Sequence, residues 1–198
     1  MKIRLLVSVG VIMICAGIVW FVSAQRNAAV VDDPVQQLRE EVAAAPIPIE
    51  VIRAAPADVA GRLILSMGQA DASKQSLSVA VLEVVAADAG DSLESLGLAR
   101  NSVIAAAQSL ATTGTDSEYS GRLRAILLRA ADHSIPRMQS TFLTACQEFP
   151  AVASDVAVRT AIERIVARKD PTLNISDRAT QLLASLASPS DPKEGSPK

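Results

Sequence analysis

Asp132-His133-Ser134 places a carboxylate, an imidazole and a hydroxyl side by side, the side-chain types of an oriented general base and its nucleophile. Adjacency along the chain does not put three side chains in catalytic order, however, and a histidine in the last turn of a helix also suits the free carbonyls there. Lys74 and Lys169 are possible bases for a serine, but neither stands in a recognisable motif. Asp88, Asp91 and Glu94 recur at intervals of three, and Asp116, Glu118 and Gly121 lie in a polar connection, so a hard cation has to be considered. Neither run has the ligand order of an EF-hand loop, and Asp91, Glu94 and Glu118 read as helix-capping residues. Two Cys and one His are too few for a Cys/His zinc site. No glycine-rich loop follows a strand to cradle phosphate. The chain therefore predicts no catalytic residue, cofactor, metal or small-molecule ligand. A cell-envelope hydrolase using Ser or Asp/Glu chemistry is the competing enzymatic reading, and a passive spacer is a third.

The densest basic group is Arg122, Arg124, Arg129 and Arg137. Arg122 and Arg129 are seven apart and share a helix face beside the apolar stripe Tyr119, Leu123, Ile126 and Leu127. This is either a solvated face or a surface for an acidic protein partner or anionic headgroups, and Arg122, Arg129 and Arg137 are the candidate partner-binding residues. Nucleic acid is a poor partner: the formal net charge is -2 and aromatic residues are only 3% of the chain, too few for stacking platforms.

Those arginines need elements to hold them, and the elements read as helices. Hydrophobic residues make up 49%, almost all aliphatic, so the core must be built from Ala, Val, Leu and Ile. Asp33-Pro34-Val35-Gln36 offers an N-cap, a proline in the first turn and a glutamine placed to reach back. Asp91-Ser92-Leu93-Glu94 and Thr115-Asp116-Ser117-Glu118 repeat the capping-box spacing, the first before Leu93, Leu96, Val103 or Ile104, Ala107 and Leu110. Further helices are predicted over about 56–67, 72–88 after Asp71, 135–148, 152–168 and from Ser176 to Ala187, eight in all of about 12 to 20 residues. Gly68, Gly90 and Gly114 fall where left-handed helix caps are expected. The best strand candidate is Ile47–Ile52, which Pro48 would confine to an edge. Cys146, within Phe142-Leu143-Thr144-Ala145-Cys146, reads as a small core residue on a helix.

The N-terminus sets the compartment. Lys2 and Arg4 precede an uncharged run from Leu5 to Val22, close to the roughly 20 residues needed to cross a bilayer. Trp20 and Phe21 sit where an interfacial aromatic pair belongs, while Val22-Ser23-Ala24 also fits a signal-peptidase site. Residues 1–24 are thus a single-pass anchor or a signal peptide, 25–32 a tether, 33–187 the domain and 188–198 a disordered tail rich in Pro and Ser. The cation bias keeps the N-terminus in the cytoplasm. The domain is then extracytoplasmic (periplasmic in a Gram-negative cell), or secreted after cleavage at Ala24. Cys15, preceded by Ile14, lacks the small neighbour of a lipoprotein cysteine. Asn174-Ile175-Ser176 is a glycosylation sequon only in a eukaryotic secretory path, and Ser176 reads as a helix cap.

Every second predicted helix starts about 36 to 44 residues after the last, the period of a two-helix repeat. Asp170-Pro171-Thr172-Leu173 leading into Ser176-Asp177-Arg178-Ala179 and Leu182-Leu183-Ala184-Ser185-Leu186 resembles the second-helix segment of HEAT/armadillo-type repeats, and Asp155 with Val158-Arg159 looks like a displaced copy. The resemblance spans roughly residues 150–187. It implies a surface for binding proteins and carries over no catalytic residue. The expectation is an all-α antiparallel domain, either an irregular bundle or a short α-solenoid, acting as an exported, membrane-tethered interaction module with an unidentified protein partner and contacting the membrane through Leu5–Val22.

Overall fold

A computed structural model describes residues 33–70, 74–90, 92–114, 118–169 and 171–187. The anchor, tether and tail expectations, and the caps assigned to Asp71 and Thr115, lie outside these. The described residues are all-helical, with ten α-helices. They are α1 Pro34–Ala44, α2 Pro48–Ala54, α3 Ala57–Met67, α4 Gln75–Ala87, α5 Leu93–Thr113, α6 Ser120–Ala131, α7 Pro136–Glu148, α8 Pro150–Ala153, α9 Val156–Arg168 and α10 Ile175–Ala187. None of them is long and apolar enough to cross a membrane.

Several ends depart from the sequence reading for local reasons. Ile47–Ile52 is not a strand: Pro48 occupies the first turn of α2, where its missing N–H is not needed. Asp33 caps α1 by accepting from the Val35 amide at 3.1 Å, but Gln36 does not reach back and instead donates forward to Glu40 at 2.9 Å. The cap of α5 is Ser92, whose Oγ accepts from the Ser95 amide at 3.1 Å, so the motif sits one residue later than the Asp91-to-Glu94 spacing suggested. Helix α6 starts at Ser120 rather than near Asp116, with no side-chain cap. A break at Phe149-Pro150 separates α7 from the four-residue α8, and a second at Ser154-Asp155 separates α8 from α9, whose cap is Asp155. Ser176 lies inside α10 and donates its hydroxyl to the Ile165 carbonyl at 3.3 Å, so it is not a cap.

The expected glycine caps are also revised. Gly68 has φ −66 and is right-handed, and Gly90 is not at positive φ. A Cβ on Gly68 would sit 2.7 Å from the Ala105 carbonyl oxygen, so this glycine serves close approach of α3 to α5. Gly114 does have positive φ, 78 with ψ 173, which is not the left-handed helical region but one open to glycine alone. The left-handed cap belongs to Lys169 instead, at φ 51 and ψ 36 after α9.

Packing follows a simple order. With the short α8 set aside, substantial contact joins each helix only to those one or two places along the chain. Helices two apart therefore form two layers, α1, α3, α5, α7 and α10 in one and α2, α4, α6 and α9 in the other, with the core between them. Short connections produce the contact between most successive helices, and aliphatic ridges do the rest. Helix α5, with α3 and α7 beside it and α4, α6 and α8 against it, buries far more than one stripe: Leu96, Leu98, Ala99, Ser102, Val103 and Ala105 through Ala107 among others. Only Leu93, the first residue of its predicted stripe, is left outside, 78% exposed. On α6 the expected Leu123, Ile126, Leu127 and Ala130 are buried, with Tyr119 packed at the edge.

Candidate arginine-lined interaction face

The arginines are distributed by layer. Between α2 and α4, Arg53 pairs with Asp88; between α4 and α6, Arg122 pairs with Glu83. Between α6 and α9, Arg124 pairs with Asp155 at 2.8 Å, while Arg164 and Arg168 both reach Asp132 at 3.1 and 2.7 Å. Each cross-helix cation in this layer has a carboxylate. The Arg122 guanidinium, by its hydrogen bond first and its charge as well, holds Glu83 below the usual carboxylate range, and Glu83 in turn raises Arg122.

In the other layer the acceptors are uncharged. Arg39 of α1 donates to Ser66 Oγ of α3 at 2.7 Å. Arg100 of α5 donates through Nε to Thr141 Oγ1 of α7 at 2.8 Å. Arg178 of α10 donates to Ser140 Oγ at 2.6 Å, Thr144 Oγ1 at 3.0 Å and Gln147 Oε1 at 3.2 Å, all on α7. Arg137, one turn before Thr141 on the same helix, is exposed and its guanidinium makes no hydrogen bond or ion pair with another described residue. Helix spacing places residues 137, 140, 141 and 144 on one face. Arg100 and Arg178 thus flank α7 from its two sides, Arg137 rises from it, and none of the three has a carboxylate partner among the described residues.

This separates the three residues that the sequence grouped. Arg122 is spent on Glu83. Arg129 is exposed on α6 and close enough to Glu83 to help hold it ionised. Arg137 belongs to a different face, with Arg100 and Arg178, which sequence reasoning did not single out. Their signal was present as separations of 41 between Arg100 and Thr141 and 38 between Arg178 and Ser140, matching the two-helix period. Without knowing which helices lie side by side, those separations have no meaning.

The other candidate chemistry is taken apart by the fold. Asp132 is held between Arg164 and Arg168, and His133 Nδ1 accepts from the Ile135 amide at 3.1 Å, so the carboxylate does not orient the imidazole. His133 lies beyond the α6 cap, where its backbone amide donates to the Ala130 carbonyl at 3.4 Å and its own carbonyl accepts from Gln139 at 2.7 Å, while its ring braces the turn into α7. Among the described residues no three His, Cys, Asp or Glu side chains are placed to hold a metal ion. Cys146 is fully buried in α7, and desolvation pushes its thiol up to about 12. A groove of about 240 Å³ between α2 and α4 is lined by Ile47, Ile49, Ile52, Leu77, Val81 and Val84, with no polar side chain to orient a ligand. A wider one, about 490 Å³, lies among α1, α2 and α3 and offers only Gln37 and Glu41.

Comparison with protein-family models, with curated proteins and with solved structures finds no match to this chain.

Proposed function

We propose that this chain is a non-catalytic α-helical interaction module, held outside the cytoplasm by its N-terminal apolar segment, that keeps a protein partner near a membrane. The observation that carries the reading is the contact order. Contact confined to near neighbours in sequence supports a short stacked array of the HEAT/armadillo kind, with broad layer surfaces and no requirement for a central cleft. The uneven pairing of arginines adds chemistry to one of those surfaces. The apolar run Leu5–Val22, followed by Asp32 and Asp33, supports the anchor and its orientation.

Two measurements test this. Intact mass of the mature chain with membrane fractionation is expected to return an uncleaved, membrane-bound protein; a soluble species beginning at Gln25 replaces the anchor by secretion, and a reporter at the C-terminus active only in the cytoplasm overturns export. Photo-crosslinking residues placed across both layers of the full chain in its native membrane are expected to trap a discrete protein. No product at any position, with one serine labelled by a hydrolase probe, overturns the interaction reading in favour of an enzyme.

A further inference from the structure

We propose that the face of α7 bearing Arg137, flanked by Arg100 and Arg178, receives an acidic segment of a partner protein. The proposal rests on the interaction-module reading and specifies its surface and the chemistry of its partner. In the layer of α2, α4, α6 and α9 the fold neutralises its cross-helix arginines with carboxylates, as in Arg122 with Glu83 and Arg124 with Asp155. Here it orients two guanidiniums with hydroxyls and an amide, which fix geometry and leave the charge uncompensated. Arg100 uses Nε toward Thr141, and among the described residues its terminal nitrogens and the whole Arg137 guanidinium have no carboxylate partner. A guanidinium matches a carboxylate through two parallel hydrogen bonds, and one already held in place loses less entropy on binding.

An acidic segment fits these observations better than a lipid surface. No exposed large apolar side chain lies on α7 to enter a bilayer; those of the described residues are Ile47, Leu65, Val84, Leu93, Val156 and Leu173. Exposed Glu148, one turn after Thr144 on α7, and Asp177, next to Arg178 on α10, would meet a flat anionic surface with repulsion.

The test uses the full chain in neutral detergent micelles and a fluorescein-labelled deca-glutamate peptide, read by anisotropy, with phosphatidylglycerol vesicles as a second arm. Saturable peptide binding is expected, weakened about three- to tenfold by Arg137→Gln and further by Arg137→Glu, and weakened again by added salt. The Arg137 side chain makes no bond to another described residue, so these variants keep the fold, and unchanged helical circular dichroism checks that. Arg100→Gln with Arg178→Gln is expected to weaken binding similarly, while Arg122→Gln leaves it within about twofold. Binding unaffected by the α7-face variants, or vesicle binding without peptide binding, overturns the proposal. If crosslinking to a native partner persists at other positions while the α7 variants change nothing, this inference fails and the interaction-module reading stands. If the peptide binds as expected and no native partner is trapped anywhere, the reverse holds.

Discussion

Cys146 shows how far burial alone decides a residue's chemistry. Its thiol, held up to about 12 by desolvation, stays protonated in the folded chain at neutral pH and is a poor nucleophile. A maleimide reagent is expected to label Cys146 only after denaturation; labelling at the rate of a free thiol in the native protein contradicts the burial. The sign of the pH dependence follows. In the unfolded chain a thiol ionises near its ordinary value of about 8.5, so the stability from burying it neutral is complete below that pH and declines as pH rises toward 12. Urea midpoints at pH 8 and 10 should therefore fall more steeply in the native chain than in Cys146→Ala. The two kinds of ion pair make a second contrast. Asp155 caps α9 through the Ala157 and Val158 amides at 2.9 and 3.2 Å and also binds Arg124, and its side chain is only 9% exposed. Asp155→Ala is expected to cost about 2 kcal/mol, whereas Arg122→Gln should cost under about 1 kcal/mol because solvent screens that exposed pair. Since Glu83 is held low by Arg122, the contribution of the pair is present at neutral pH and is lost as pH falls through the depressed Glu83 value. Chemical denaturation at pH 7 and 4 checks both statements.

Helix ends carry the constraints at the next scale up. Gly68 closes α3 against α5, and Gly68→Ala forces either the Ala105 carbonyl or the whole end of α3 to move; a loss of about 1–3 kcal/mol is expected in thermal denaturation. Lys169 points the other way. It holds a left-handed conformation at φ 51 that glycine adopts without strain, so Lys169→Gly should be neutral to stabilising by up to about 1 kcal/mol. A substantial loss on that substitution would mean that the Lys169 side chain, not its backbone, is what matters there. Pro48 and Pro150 each open a helix rather than interrupt one, which is why the region between Ala45 and Ala55 folds as α2 although its apolar alternation looks strand-like.

For the whole molecule, contact limited to near neighbours predicts a gradient of stability. Interior helices are supported on both sides along their layer and terminal ones on one, so α5, α6 and α7 should exchange their amides slowest and α1, α2 and α10 fastest. Hydrogen exchange followed by mass spectrometry on the full chain measures this. Uniform protection through α1 and α10 would show a cooperative unit that the contact order does not suggest. The two arginine ladders run along the same axis as that gradient, tying helix to helix within each layer, one through carboxylates and the other through uncharged acceptors.

Helical character, the aliphatic core, the position of the α6 stripe and the inert setting of Cys146 were legible in the chain because they rest on periodicity and composition, which are local properties. Cap positions at Asp91, Ser176 and the glycines were misplaced because several short polar residues compete within one turn, and the outcome depends on how the following helix is packed. The grouping of Arg122, Arg129 and Arg137 was a statement about nearness in sequence. Which arginine meets a carboxylate and which meets a hydroxyl is decided by helices lying two places apart, through residues 27 to 41 positions away, and only the tertiary arrangement brings those partners within bonding distance.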